Sequence, residues 1–152
     1  MKSDSRLSAI LHTVLHMAEA GRAMTSAELA RHMNTNPVVV RRAMAGLRRA
    51  GLVRSEKGRG GGWEIAADLN RVNLRQIYDA IGAPPLLAAG IRLEHPACLV
   101  EQAVNNALQP AFAEAEALLV ERLSAVTLAE LAADFKGRAA SHRAQHKDWF
   151  NV

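Results

Sequence analysis

The stretch Lys57-Gly58-Arg59-Gly60-Gly61-Gly62-Trp63 has almost no side chains except one arginine near its tip and an aromatic at its exit. Glycine tolerates positive φ and lets backbone approach another surface closely, which suits a tight turn that enters a narrow groove. Leu52-Val53-Arg54-Ser55 before it and Trp63-Glu64-Ile65 after it read as short strands, so the run is the tip of a β-hairpin. A glycine run alone is more often a flexible polar loop. The segments on either side select the hairpin.

Immediately upstream, Asn34-Thr35-Asn36-Pro37 combines turn residues, an N-cap in Asn36 and a proline at the first helical position, where its missing N–H costs nothing. The spacing predicts a helix from Pro37 to Ala50 with Val40, Ala43, Met44 and Leu47 on one face. Val38, Arg41, Arg42, Ala45, Arg48 and Arg49 are left on the other, and Gly51 ends the helix. Further back, Leu7, Ile10, Leu11, Val14, Leu15 and Ala18 recur at helical spacing, with Asp4 or Ser5 as cap and Gly21 as stop. Thr25-Ser26-Ala27-Glu28 has the form of a capping box and opens a short helix to about Met33. Helix, helix, turn, helix, hairpin is a winged helix-turn-helix.

Asn73 caps a further short helix from Leu74 to about Ile81, and Gly82-Ala83-Pro84-Pro85 breaks it, so the winged domain is expected over residues 1–83. Residues 84–97 read as a connector. From Cys98 to Val126 one long helix is expected, about 40 Å at the standard rise. Val104, Leu108, Ala111, Ala115, Leu118 and Val126, supplemented by Phe112, Leu119 and Leu123, form an apolar stripe suited to pairing with a second copy of the chain. Pro110 predicts a kink. Thr127-Leu128-Ala129-Glu130 is a second capping-box pattern opening a short helix to about Lys136. The dimerisation unit is thus expected over 98–137 and a basic tail over 138–152. The fold class is mainly α with a small β-wing.

Charge is distributed unevenly along the 152 residues, whose formal net charge is +4. From Arg31 to Arg59 eight basic residues face the single acid Glu56, whereas from Leu99 to Phe135 six acids face only Arg122. One part of the molecule suits a polyanion and another does not, which points to nucleic acid. His12, His16 and Glu19 break the first apolar run, so it reads neither as a signal peptide nor as a membrane span, and a cytoplasmic protein is expected. A single cysteine, Cys98, excludes an intramolecular disulfide and any four-cysteine metal site from one chain. No nucleophile, phosphate loop or carboxylate pair of catalytic form is present, so an enzyme is not expected.

The helix beginning at Pro37 is the candidate reader of DNA, since an α-helix fits the major groove and arginine bonds both acceptors of guanine. Arg41 and Arg42 are assigned to bases or adjacent phosphates, Val38 to a thymine methyl, Thr35 and Asn36 to the backbone at the entry, and Arg48 to the same cationic face. In the wing, Arg59 suits a narrow minor groove and Lys57 and Arg54 suit phosphates. Trp63, one residue past the turn, is expected to pack the wing on the helices. His12/His16 and His142/His146 are each spaced i, i+4, but two imidazoles fall short of the three or four ligands of a metal site, and no metal is assigned. His95 and Cys98, at the head of the long helix, are the candidate sensor, because exposed helix-terminal amides favour a thiolate, although a buried, inert thiol fits Cys98 as well. A basic face of this kind also fits a winged-helix module that binds an acidic protein.

Ala50-Gly51-Leu52-Val53-Arg54-Ser55 followed by Gly58-Arg59-Gly60-Gly61-Gly62-Trp63 resembles the wing signature of the Rrf2 family of bacterial winged-helix regulators. Phe112-Ala113-Glu114-Ala115-Glu116 and Thr127-Leu128-Ala129-Glu130-Leu131 resemble its long dimer helix and the helix after it. The resemblance implies a homodimeric transcriptional regulator on a palindromic double-stranded DNA operator, with Arg59 in the minor groove; a repressor is the expected mode of action, with an activator still open. It also implies a sensor between the winged domain and the dimer helix. Cluster-binding members carry three cysteines there; this chain has only Cys98, and no iron–sulfur cofactor is expected. It looks like the cluster-free members, for which oxidants, electrophiles or a small-molecule effector remain open as signals.

Overall fold

A computed structural model of the chain describes residues 6–58, 61–87 and 98–146, with side chains as far as Ser141. Its elements are α1 (Arg6–Ala20), α2 (Ser26–His32), α3 (Pro37–Arg49), β1 (Val53–Glu56), β2 (Gly62–Ile65), α4 (Leu74–Ala80), α5 (Leu99–Ser124) and α6 (Leu128–His146). The two strands are antiparallel and pair Val53 with Ile65 and Glu56 with Gly62.

Local capping places the short helices. The Thr25 hydroxyl accepts from the Glu28 N–H at 3.2 Å while Glu28 accepts from the Thr25 N–H at 2.7 Å, satisfying two amides at the start of α2. Asn73 and Gln76 do the same at α4. Between α2 and α3 the chain reverses through Asn34 at φ 49°, a left-handed conformation that asparagine tolerates better than most residues. Thr35 N–H then donates to the Ala30 carbonyl at 3.0 Å, closing the turn of the helix-turn-helix.

The core is built from Ile10, Val14 and Met17 of α1, Leu29 of α2, Val40, Met44 and Leu47 of α3, Leu52 and Val53 beside the wing, and Leu74 and Ile77 of α4. Two glycines allow its close crossings. A Cβ on Gly46 would lie 2.2 Å from the Ala80 carbonyl oxygen, so α3 crosses α4 where only glycine fits. A Cβ on Gly62 would lie 2.4 Å from the Met24 carbonyl oxygen, where Trp63 exchanges two backbone hydrogen bonds with Met24. Trp63 is half-buried and its Nε1–H donates to Ser26 Oγ at 3.0 Å, which mounts the wing on the start of α2 as the sequence predicts.

The C-terminal half departs from expectation at two places. Leu123 and Val126, assigned to the dimer stripe, pack against the core of their own chain together with the buried Leu128 and with Leu131. Backbone bonds from Leu74 N–H to the Val126 carbonyl, 2.9 Å, and from Leu128 N–H to the Val72 carbonyl, 2.8 Å, hold the α5–α6 corner there. Side chains of residues 123–131 thus contribute to the same core as the winged helices. Secondly, α6 does not stop near Lys136 but runs to His146, so residues 138–146, read as tail, are helical. A mid-helix glycine costs only about 1 kcal/mol. Arg138 reaches back across Gly137 to pair with Asp134 at 2.7 Å, and Ser141 Oγ donates to the Gly137 carbonyl at 3.1 Å.

Candidate nucleic-acid interface

The α3 surface is set by its N-terminus. Asn36 Oδ1 accepts from the Val38 and Val39 N–H groups at 3.0 and 3.1 Å, so two of the amides available to a phosphate at that end are already satisfied. Beyond the cap, Val38 and Val39 are 56% and 42% exposed, which leaves them free to meet another surface. Arg41, Arg42, Arg48 and Arg49 are all exposed.

Arg41 and Arg42, adjacent in sequence, face different surroundings. Arg41 lines an open cleft of about 450 Å³ between the start of α3 and the wing, shared with Pro37, Ser55, Lys57 and Gly58. Arg42 lines a larger cavity of about 820 Å³ between α1, α3 and α4, with Thr35, Val39, Arg49 and Asp79. The structure thus brings Arg41 and Lys57 together and separates Thr35 and Arg42 from them.

Two further arginines have partners that sequence reading passed over. Arg48 Nη1 donates to Ser55 Oγ at 3.4 Å, tying α3 to β1. Arg54 is ion-paired with Glu64, its directly opposite neighbour across the hairpin, although its side chain stays 64% exposed. The Glu64 partner could have been found from hairpin register, which places the two residues opposite each other. The hairpin turn itself bonds Gly61 N–H to the Gly58 carbonyl at 3.0 Å, and Gly58 takes φ 103°. Arg59 and His95 lie outside the described residues. Cys98 is exposed and stands at the N-cap of α5 without a side-chain capping bond.

Helix α5 presents the other exposed surface. None of its 26 residues is buried, and Val104, Leu108 and Leu118 are 49%, 42% and 52% exposed. Ala111 and Ala115 are exposed too, Leu119 is 41% exposed, and Phe112 is half-buried. Glu116, on the side toward α4, accepts from the Leu86 N–H at 2.8 Å. Among the described residues no helix is long and apolar enough to cross a membrane.

Three helices around a helix-turn-helix, a two-stranded wing and an exposed cationic third helix define a winged-helix DNA-binding fold. The Rrf2 family model, described as iron-dependent transcriptional regulator, matches residues 3–134, and the chain belongs to that family. YwnA of Bacillus subtilis (strain 168), named as an HTH-type transcriptional regulator, is 28% identical over 128 residues, covering 84% of this chain and 95% of that protein. A transcriptional-regulator structure from Lactobacillus plantarum matches with TM-score 0.66 and 22% identity, over 94% of this chain and 99% of the other. CymR, the global cysteine regulator of B. subtilis, matches with TM-score 0.58 and 20% identity, over 88% and 98%. At these identities the two structures speak for the fold. The family's regulators are transcription factors, and the protein is a DNA-binding regulator of transcription.

The iron dependence attached to the family meets a poor donor set here. One cysteine per chain cannot supply the several thiolates of an iron–sulfur cluster. Among the described residues, the one group of three potential metal ligands is made of histidines and excludes Cys98.

Proposed function

We propose that the chain is a homodimeric, sequence-specific repressor of a palindromic operator, with α3 in the major groove and the wing in the adjoining minor groove. The observation that carries this reading is the cleft in which Arg41 of α3 and Lys57 of the wing meet, beside the exposed Val38. Arg41 takes base edges, Val38 a thymine methyl, and Lys57 and Arg54 phosphates, Arg54 sharing its charge with Glu64. Arg42, Thr35 and Arg48 serve the flanking backbone, Asn36 adds its free amide nitrogen, and Arg59 enters the minor groove.

The second copy is supplied through α5, whose uncovered row from Val104 to Leu119 matches a helix pairing with its own symmetry mate. Cys98, exposed at the head of that helix, is the thiol through which oxidants or electrophiles change operator affinity.

The test is operator binding by fluorescence anisotropy across a salt series. Arg41→Ala is expected to cost about 1–3 kcal/mol and relax specificity at one position, whereas Lys57→Ala weakens all duplexes alike and lowers the salt slope by about 1. Arg59→Ala weakens binding and relaxes any A·T preference in the flank. Unchanged affinity in Arg41→Ala and Arg59→Ala would overturn the reading, and a protein without salt-dependent retention on random duplex would favour an acidic protein partner instead. For the sensor, peroxide or a quinone must release wild-type protein from DNA and leave Cys98→Ser bound.

A further inference from the structure

The packing of α1 on α2 brings three histidines together. His12 and His16 are one turn apart on α1, and His32 stands in the last turn of α2. The ring centroids of His12 and His16 are 4.6 Å apart and those of His16 and His32 4.4 Å, with His12 and His32 at 6.5 Å. One ring nitrogen from each lies within 4.8 Å of the others. Phe135 of α6 closes the far side, its ring 6.3 Å from that of His16.

We propose that His12, His16 and His32 form a binding site for a divalent transition-metal ion of the imidazole-preferring kind, zinc foremost, that clamps α1 to the first helix of the helix-turn-helix. The i, i+4 pair on α1 lacks a third ligand in the sequence, and the fold supplies it from α2. Zn–N bonds of 2.0–2.1 Å in tetrahedral geometry place ligand nitrogens about 3.3 Å apart. His12 and His32 are exposed and His16 half-buried, so ring rotation about the outer two closes the remaining distance without moving the backbone. Three imidazoles leave the fourth position to water, as in zinc sites with an open coordination place. The donor set has no thiolate and no carboxylate, which selects against calcium, magnesium and iron–sulfur chemistry and for zinc, copper or nickel.

The site is independent of the DNA-binding reading, and its test uses no DNA. The full chain carrying His142→Gln and His146→Gln, which removes the other helical histidine pair, is titrated with zinc chloride by calorimetry and by thermal unfolding. The proposal expects one zinc ion per chain and a raised unfolding midpoint, because an ion that binds only the folded state stabilises it. In that background, His12→Gln, His16→Gln or His32→Gln is each expected to weaken zinc by more than the roughly 10–100-fold that losing a ligand's outer hydrogen-bond partner costs. His32 and His12 are exposed, so their variants keep the apo fold, which circular dichroism checks. No zinc uptake by the starting protein, or equal affinity and stoichiometry in His12→Gln and His32→Gln, would overturn the proposal.

Discussion

Helices α3 and α5 both leave a long face uncovered, but they do so in opposite ways. Helix α3 buries Val40, Met44, Gly46 and Leu47 and turns arginines outward, whereas α5 buries none of its 26 residues and turns aliphatic side chains outward. Water solvates the first face well, so α3 is complete within the chain and its charge awaits a polyanion. Water solvates the second badly, so α5 is finished only when another apolar surface covers it. The contrast separates two kinds of surface on one molecule, one suited to a polyanion and one to an apolar partner.

The sharpest way to break the contrast is to damage the closed side. Gly46→Ala forces a methyl group against the Ala80 carbonyl oxygen, 2.2 Å from the ideal Cβ position, and neither backbone can yield alone. Urea unfolding is expected to show a loss of about 3 kcal/mol, at the upper end for overpacking. A loss under half of that would mean that α3 and α4 can slide apart. On the open side, Leu118→Glu is expected to leave monomer stability nearly unchanged because the side chain is 52% exposed. The same change weakens self-association about a hundredfold, since burying an unpaired carboxylate costs several kcal/mol and each 1.4 or so is tenfold. Sedimentation equilibrium reads this directly, and an unchanged mass distribution would remove α5 as the dimer surface.

Smaller effects test how the reading face is mounted. Trp63→Phe removes the 3.0 Å bond to Ser26 Oγ and is expected to cost about 1 kcal/mol in stability. At α2, the Arg22 side chain and then the Thr25 N–H hold the Glu28 carboxyl down from 4.5 to about 2. The stabilisation from its charged form is therefore fully present above pH 4.5 and is lost as pH falls toward 2. Glu28→Gln keeps the capping geometry without the charge and should flatten that acid limb in a pH series of unfolding midpoints. An unchanged limb would place the acid sensitivity elsewhere.

What was legible in the sequence follows from how local each signal is. Thr25 with Glu28, Asn36 with Pro37, and Asn73 announce three helix starts because cap and helix lie within four residues. The glycine hairpin was legible for the same reason, although Gly62 answers to Met24 as well as to the turn. Signals that depend on a distant partner were not legible. Leu123 and Val126 share the periodicity of the α5 stripe, and only the bonds from Leu74 and Leu128 reveal that they turn inward. His32 meets His16 through helix packing, which no spacing rule encodes. The end of α6 lies beyond the expected one because Gly137 is a stop signal only in isolation; here the helix continues through it, with the exposed Asp134–Arg138 pair spanning it. Arg41 and Arg42 looked equivalent as a dipeptide, yet the 100° step between neighbours on a helix sends them to different clefts.

Trp63 has an optical consequence. The chain contains two tryptophans. With Trp149→Phe in place, the remaining indole is half-buried, bonded to Ser26 and set in the wall of the cleft shared by Arg41 and Lys57. Its emission then reports the seating of the wing from within the molecule, without any dye, and a duplex drawn into that cleft would announce itself as a change in colour and intensity.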